Sequence, residues 1–192
     1  MPYTFQRNQH GWFTTRVDDS AIRQAQVMMQ NGDAIFANNL FVEETGDARW
    51  VGFLGEFLFN EWLGEMTADE NFVWFNDADG AGLTDFQVFG RGVGIKSVKR
   101  SVPMRPSYEA QISTRHAKEP SDYYVFGCYE TSSRLFHILG AIGREEYLRK
   151  ARHYRAGEYV HPKYQIRPGH EIYNAPVSIL TPCDVWIREM AR

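Results

Sequence analysis

Cysteine is almost missing from this chain. Its 192 residues include two, Cys128 and Cys183, at no paired spacing. That argues against a disulfide scaffold and fits reduced thiols in a cytoplasmic protein. Long apolar runs are missing as well. Nothing approaches the ~20 apolar residues that a bilayer-spanning helix needs. The opening MPYTFQRNQHGW has no apolar core of signal-peptide form, so no membrane partner is expected. There is no internal repeat and no low-complexity tract. A positive excess is absent too: the formal net charge is −3, which speaks against a protein that coats nucleic acid but leaves room for one local basic face. His116, His137, His153, His161 and His170 lack metal-ligand spacing and read as structural or exposed. What is present is 43% hydrophobic and 15% aromatic, enough for the core of a single domain spanning 1–192.

Taken in order, Asp19-Ser20 reads as the N-cap of a helix, AIRQAQVMMQ, that Asn31-Gly32 ends. Ala34 to Glu43 is ambiguous between strand and loop. Asp47 to Glu65 carries the strongest helical signal, with Trp50, Phe53, Leu54, Phe57, Leu58, Trp62 and Leu63 at three- and four-residue steps. Phe72 to Phe75 is a short strand and Asn76 to Gly80 a turn. From Gly82 to Ser101 the chain reads as a hairpin, with its turn at Gly90-Arg91-Gly92 and its second strand from Val93 to Val98. Ser107 to Lys118 reads as a helix or an extended arm. Asp122 to Tyr129 is a central strand, Arg134 to Ala141 its hairpin partner, and Gly143 to Arg152 a short helix. Tyr159 to Tyr173 holds one or two short strands, and Pro182 to Met190 is a closing helix.

The polar residues of the hairpin carry the chemistry. Asp85 heads its first strand, and Lys96 lies within its second, between Ile95 and Val98. A carboxylate and an ammonium on neighbouring strands can converge on one point, an arrangement suited to a divalent metal beside a phosphate. Taken alone, the pair reads equally as a solvated couple on a sheet face. Five basic residues and no acidic one lie from Arg91 to Arg105.

The order helix, three strands, helix, strand resembles the restriction-endonuclease-like core of the PD-(D/E)XK nuclease superfamily. The residues that carry the likeness are GFLGEFLFNEWL with Glu56, LTDFQVFG with Asp85, and VGIKSVKRS with Lys96. DYYVFGCY and FHILGAIGREEYLRKA are similar to the segments downstream of the active site in many phage and restriction-type members. The resemblance implies an α/β fold, a mixed β-sheet flanked by helices. Its core would span about 47–151, with 152–192 as a peripheral extension. It also implies a Mg²⁺- or Mn²⁺-dependent nuclease acting on DNA. Asp85, Glu56 and the Ile95 carbonyl would hold the ion, and Lys96 would stand beside the attacking water. Lys99, Arg100 and Arg105 would touch phosphates, and Gln111 would help hold the site or DNA. Cutting both strands would call for a homodimer.

The chain departs from the superfamily pattern at Gly94, where an acidic residue is expected two positions before the lysine. Glu56 would then fill the vacated ligand position, with Asp77 and Asp79 in reserve. The alternative is a nuclease fold that binds DNA or assembles with partners without catalysis. A further alternative is an α+β domain unrelated to nucleases, with Asp85 and Lys96 as an exposed pair.

Overall fold

The computed structural model describes residues 3–35, 49–75 and 84–192. Strand β1 (Gln6–Arg7) pairs antiparallel with β2 (Phe13–Arg16). Helix α1 spans Asp19–Ile35. Its cap is Asp18, whose Oδ1 accepts the Ser20 hydroxyl at 2.7 Å and the Ala21 amide at 2.8 Å. The cap therefore lies one residue before the expected one, and the helix continues through Asn31-Gly32 rather than stopping there. Helix α2 spans Trp50–Met66 and buries a broad face that includes Leu54, Leu58, Trp62 and Leu63, as its periodicity demands.

Strands β3 (Phe72–Trp74), β4 (Phe86–Val88) and β5 (Arg91–Arg100) follow as an antiparallel meander. The turn between β4 and β5 is Phe89-Gly90, with φ of 46° and 77°. Two successive positive φ values make a type I′ turn, whose twist matches that of the strands. Arg91 and Gly92 thus belong to β5, not to the turn. Phe89 takes the left-handed backbone with its ring packed against the core. The expected turn Asn76 to Gly80, the reserve ligands Asp77 and Asp79, and the stretch after Ile35 up to Glu43 lie outside the described residues.

The segment after Pro106 takes the extended one of its two expected forms. It forms strand β6 (Glu109–Ser113) and a single 3₁₀ turn, His116–Lys118, and no α-helix. Ala110 and Ile112 are buried, while Glu109, Gln111 and Ser113 are more open, which is the two-residue period of a strand. The second helix of the helix–three strands–helix–strand order is therefore not there. The chain passes from β5 to its parallel neighbour β7 (Tyr123–Glu130) through a strand instead.

Strand β8 (Leu135–Gly143) returns antiparallel to β7. Next come α3 (Arg144–Lys150), β9 (Arg152–Tyr154), β10 (Tyr159–His161), β11 (Tyr164–Gln165), β12 (Ile172–Pro176) and α4 (Cys183–Met190). The main sheet has the order β1-β2-β8-β7-β5-β4-β3, with β5 and β7 its parallel pair, so it is mixed. Helices α1, α2 and α4 cover one face around a core that includes Leu54, Trp62, Phe86, Ile138 and Trp186. The antiparallel sheet β6-β12-β9 and α3 cover the other, around Ile112, Tyr124, Phe126 and Tyr147. Coverage on both sides explains why β7 and β8 are nearly continuous apolar runs. Residues 152–192 contribute to both layers. Among the described residues no helix is long and apolar enough to cross a membrane.

Candidate active site

Strand β4 is shorter than β5, and the difference opens the site. Their pairing ends at Phe86 opposite Val93. The Ile95 amide on that edge has no ladder partner, and Asp85 supplies one: its Oδ2 accepts the amide at 2.6 Å. In an extended strand the N–H and C=O of one residue leave from the same edge, so the Ile95 carbonyl faces the side on which Asp85 sits.

Lys96 points to the opposite face from Ile95 and is 8% exposed. Its Nζ lies 2.8 Å from Glu119 Oε2 and 3.8 Å from Asp85 Oδ2. Burial alone would lower the pKa of this amine. The charges of Asp85, Glu119 and Glu56 outweigh it, so the amine is held protonated above the usual lysine range. Gly94 shares this face, two residues earlier. A Cβ there would lie 2.9 Å from Ser121 Oγ and 3.3 Å from Lys96 Nζ. The residue that breaks the family pattern therefore makes room for the ammonium and for Ser121, whose hydroxyl meets Thr84 Oγ1 at 3.1 Å.

Glu56 reaches the site because of the residue before it. A Cβ on Gly55 would stand 1.9 Å from Ser97 Oγ on β5, so only glycine lets α2 ride this close to the sheet. Glu56 follows at once, and its Oε2 is 3.5 Å from the Trp74 indole nitrogen. Burial and the like charge of Asp85 push its carboxyl up to about 8, against the opposing pull of Trp74 and Lys96. Glu56 thus carries its proton at neutral pH, while Lys96 carries a full charge.

Two further side chains belong to this cluster. Glu119 lies in the segment leading into β7 and makes the closest contact to Lys96. His116 holds Nδ1 3.2 Å from Ser113 Oγ and Nε2 3.8 Å from Glu119 Oε1. Burial and the Lys96 charge push its pKa down to about 4, so the ring is neutral at physiological pH. Sequence reasoning assigns neither residue to the site. The available signal is weak: an acid before Pro120-Ser121 at a strand entrance, 23 residues beyond the lysine it holds.

Of the expected site residues, Glu56, Asp85 and Lys96 fall within electrostatic reach of one another, and Ile95 joins them through its backbone. The expected DNA contacts are less uniform. Lys99 and Arg105 are exposed. The Arg100 guanidinium instead stacks over the Tyr108 ring at 4.9 Å. Gln111 is half-buried on β6, opposite Asn174 of β12. Among the described residues no three His, Cys, Asp or Glu side chains converge closely enough to cage a metal. The chemistry at hand is hard oxygen donors next to a buried, charged amine. Compared with known proteins, the chain matches no protein-family model, no curated protein and no solved structure.

Proposed function

We propose that the chain is a metal-dependent nuclease that hydrolyses phosphodiester bonds in DNA, working from a mixed α/β sheet that lacks the second core helix of the restriction-endonuclease-like order. One observation carries this reading: a buried Lys96 ammonium stands 3.8 Å from the Asp85 carboxylate, at the point where β4 ends and the edge of β5 opens.

The residues fit the ion that the resemblance implies. Burial, reinforced by the like charge of Asp85, keeps a proton on Glu56, and a divalent cation would offset both. Two carboxylates, the Ile95 carbonyl and several waters form a donor set that suits Mg²⁺ or Mn²⁺, which keep part of their hydration. When bound, the ion supplies Lewis acidity and a water of lowered pKa.

The chain's own groups do the rest. Glu56 in its carboxylate form and Asp85, through the oxygen that the Ile95 amide leaves free, would hold the ion. Lys96 orients the attacking water and stabilises the charge that grows on the phosphate oxygens. Glu119 supplies, from the segment before β7, the carboxylate that position 94 lacks. It aims the ammonium, and the His116 ring beside it stays neutral. Exposed Lys99 and Arg105 contact phosphates without reading sequence.

Plasmid and end-labelled linear DNA incubated with Mg²⁺ or Mn²⁺ test the reading. Cleavage is expected, with Asp85→Ala and Lys96→Ala each reducing the rate by on the order of 10² or more. No cleavage, or cleavage untouched by both substitutions, would sink it. Gly94 favours a second reading, a nuclease fold without catalysis. That version binds DNA equally well with and without metal and is indifferent to Asp85→Ala.

A further inference from the structure

The stretch from Tyr147 to Glu171 contains six basic side chains (Arg149, Lys150, Arg152, Arg155, Lys163, Arg167) and two acidic residues, Glu158 and Glu171, in a chain whose net charge is −3. The middle of this stretch leaves the small sheet as an arm. Its two roots are Tyr154 of β9 and Ile172 of β12, which pair with each other, and Ile172 also pairs with Ser113 of β6. Ser113 Oγ meets His116 Nδ1 at 3.2 Å, and His116 stands 3.8 Å from Glu119, the partner of Lys96. The root of the 155–171 arm is therefore linked to the candidate active site through Ser113, His116 and Glu119.

The arm is a built element. Gly157 donates to the Ile166 carbonyl at 2.8 Å, Ile166 donates to the Glu158 carbonyl at 2.9 Å, and β10 pairs with β11. Ile166 is buried at its base. Glu158 is engaged there too, with one oxygen taking the Arg155 amide at 2.5 Å and the other facing Arg152 at 3.7 Å. The outer part is different. Tyr159 is 57% and Tyr164 40% exposed, among the most open large apolar side chains described. The side chains of Arg155, Lys163 and Arg167 have no acidic partner among the described residues. Open tyrosine faces beside uncompensated cations suit a strand whose bases are free to stack and whose phosphates need neutralising. A duplex hides its base faces and would leave the tyrosines unused.

We propose that the 155–171 arm grips an unpaired stretch of DNA beside the scissile bond, with Tyr159 and Tyr164 stacking on bases and Arg155, Lys163 and Arg167 lying on phosphates. The identity of the strand as substrate rests on the nuclease reading. The grip itself is tested by binding alone.

The experiment is fluorescence anisotropy of the full chain with labelled oligothymidine, and with a duplex of equal length, in EDTA over a salt series. The wild-type chain binds the single strand more tightly. The combined variant Arg155→Ala, Lys163→Ala, Arg167→Ala loses more than tenfold at low salt, and its log–log salt slope falls by about 2, since each phosphate contact on a single strand contributes about 0.7. Tyr159→Ala with Tyr164→Ala loses on the order of tenfold with the slope unchanged, because stacking releases no counterions. Both variants keep the wild-type melting temperature, their substituted side chains being solvent-facing. Unchanged binding by either variant, a wild-type preference for duplex, or no binding at all overturns the proposal. Cleavage assays on the same proteins separate the two readings. Cutting with indifferent arm variants leaves the nuclease and removes the arm. Arm-dependent binding with no cutting under any metal does the reverse.

Discussion

At the scale of single residues, the candidate site is a balance of four titratable groups, Glu56, Asp85, Lys96 and Glu119, held by backbone geometry. Glu56 shows the balance most clearly. Its folded-state pKa of about 8 lies above the ordinary glutamate value, so between the two pH values the native state binds a proton that the unfolded chain does not. Stability from this group is therefore greatest below the ordinary glutamate range and drains away as pH rises toward about 8. Glu56→Gln should raise the melting temperature more at pH near 8 than at acid pH, by at least ~2 °C, while abolishing cleavage. Equal shifts at both pH values would contradict the assignment. Gly94→Asp is the complementary change. The nearest atoms to a Cβ there are the rotatable Ser121 hydroxyl and the end of the Lys96 side chain, not backbone, so the fold should survive it. A carboxylate there adds a hard oxygen beside Asp85, and titration should show tighter Mn²⁺ binding than in the native chain. Asp85, Lys96 and Glu56 are legible in the sequence because they sit in recognisable local contexts. Glu119 and His116 are not, since their meeting with Lys96 is made by a fold-level crossover that no local pattern encodes.

At the scale of elements, the helix α2 and the strands β7 and β8 are readable because burial leaves a periodic or continuous apolar imprint. Strand β6 passes for a possible helix although Glu109 to Ser113 alternates cleanly. The preceding prolines mark a break and mask the period that comes after it. The register of the β4–β5 turn is off by one residue because Phe89 accepts a positive φ that sequence rules reserve for Gly or Asn. The seat of α2 on β5 makes a sharp prediction. Gly55→Ala drives a methyl into Ser97 Oγ at 1.9 Å, and the helix must lift off the strand. A loss of roughly 1–3 kcal/mol is expected in urea unfolding, with cleavage lost beyond what that destabilisation explains, because Glu56 moves with the helix. Gly55→Ala combined with Ser97→Gly should recover much of both. Failure of the pair to recover either would show that the close approach does not set the site.

At the scale of the whole molecule, one sheet carries two unlike coats, helices on one face and a second sheet on the other. Tyr147 is a fastener of the second coat. From α3 its hydroxyl lies 2.8 Å from the carbonyls of both Ala110 and Tyr173, which belong to different strands of the small sheet. Tyr147→Phe keeps the ring and removes that tie, and chemical denaturation should report a loss of about 1–2 kcal/mol. Metal linkage is also global. At a hundredfold excess over Kd, a bound ion stabilises the native state by about 2.7 kcal/mol, so Mn²⁺ should raise the melting temperature of the native chain and leave that of Asp85→Asn with Glu56→Gln unmoved. The mixed α/β architecture is accessible from composition and periodicity, but the second sheet is not, because its strands are short and its partners lie far apart along the chain.

The route from β5 to its parallel neighbour has one more implication. Lys96 lies on the outgoing leg, and the carboxylate that steadies it arrives only on the way back. A protease nick after Arg100, ahead of β6, would leave every strand pairing formally intact, yet would sever the stretch that joins the lysine's strand to Glu119. The candidate site would lose that tie without the fold being lost, a change that heat and denaturant cannot mimic.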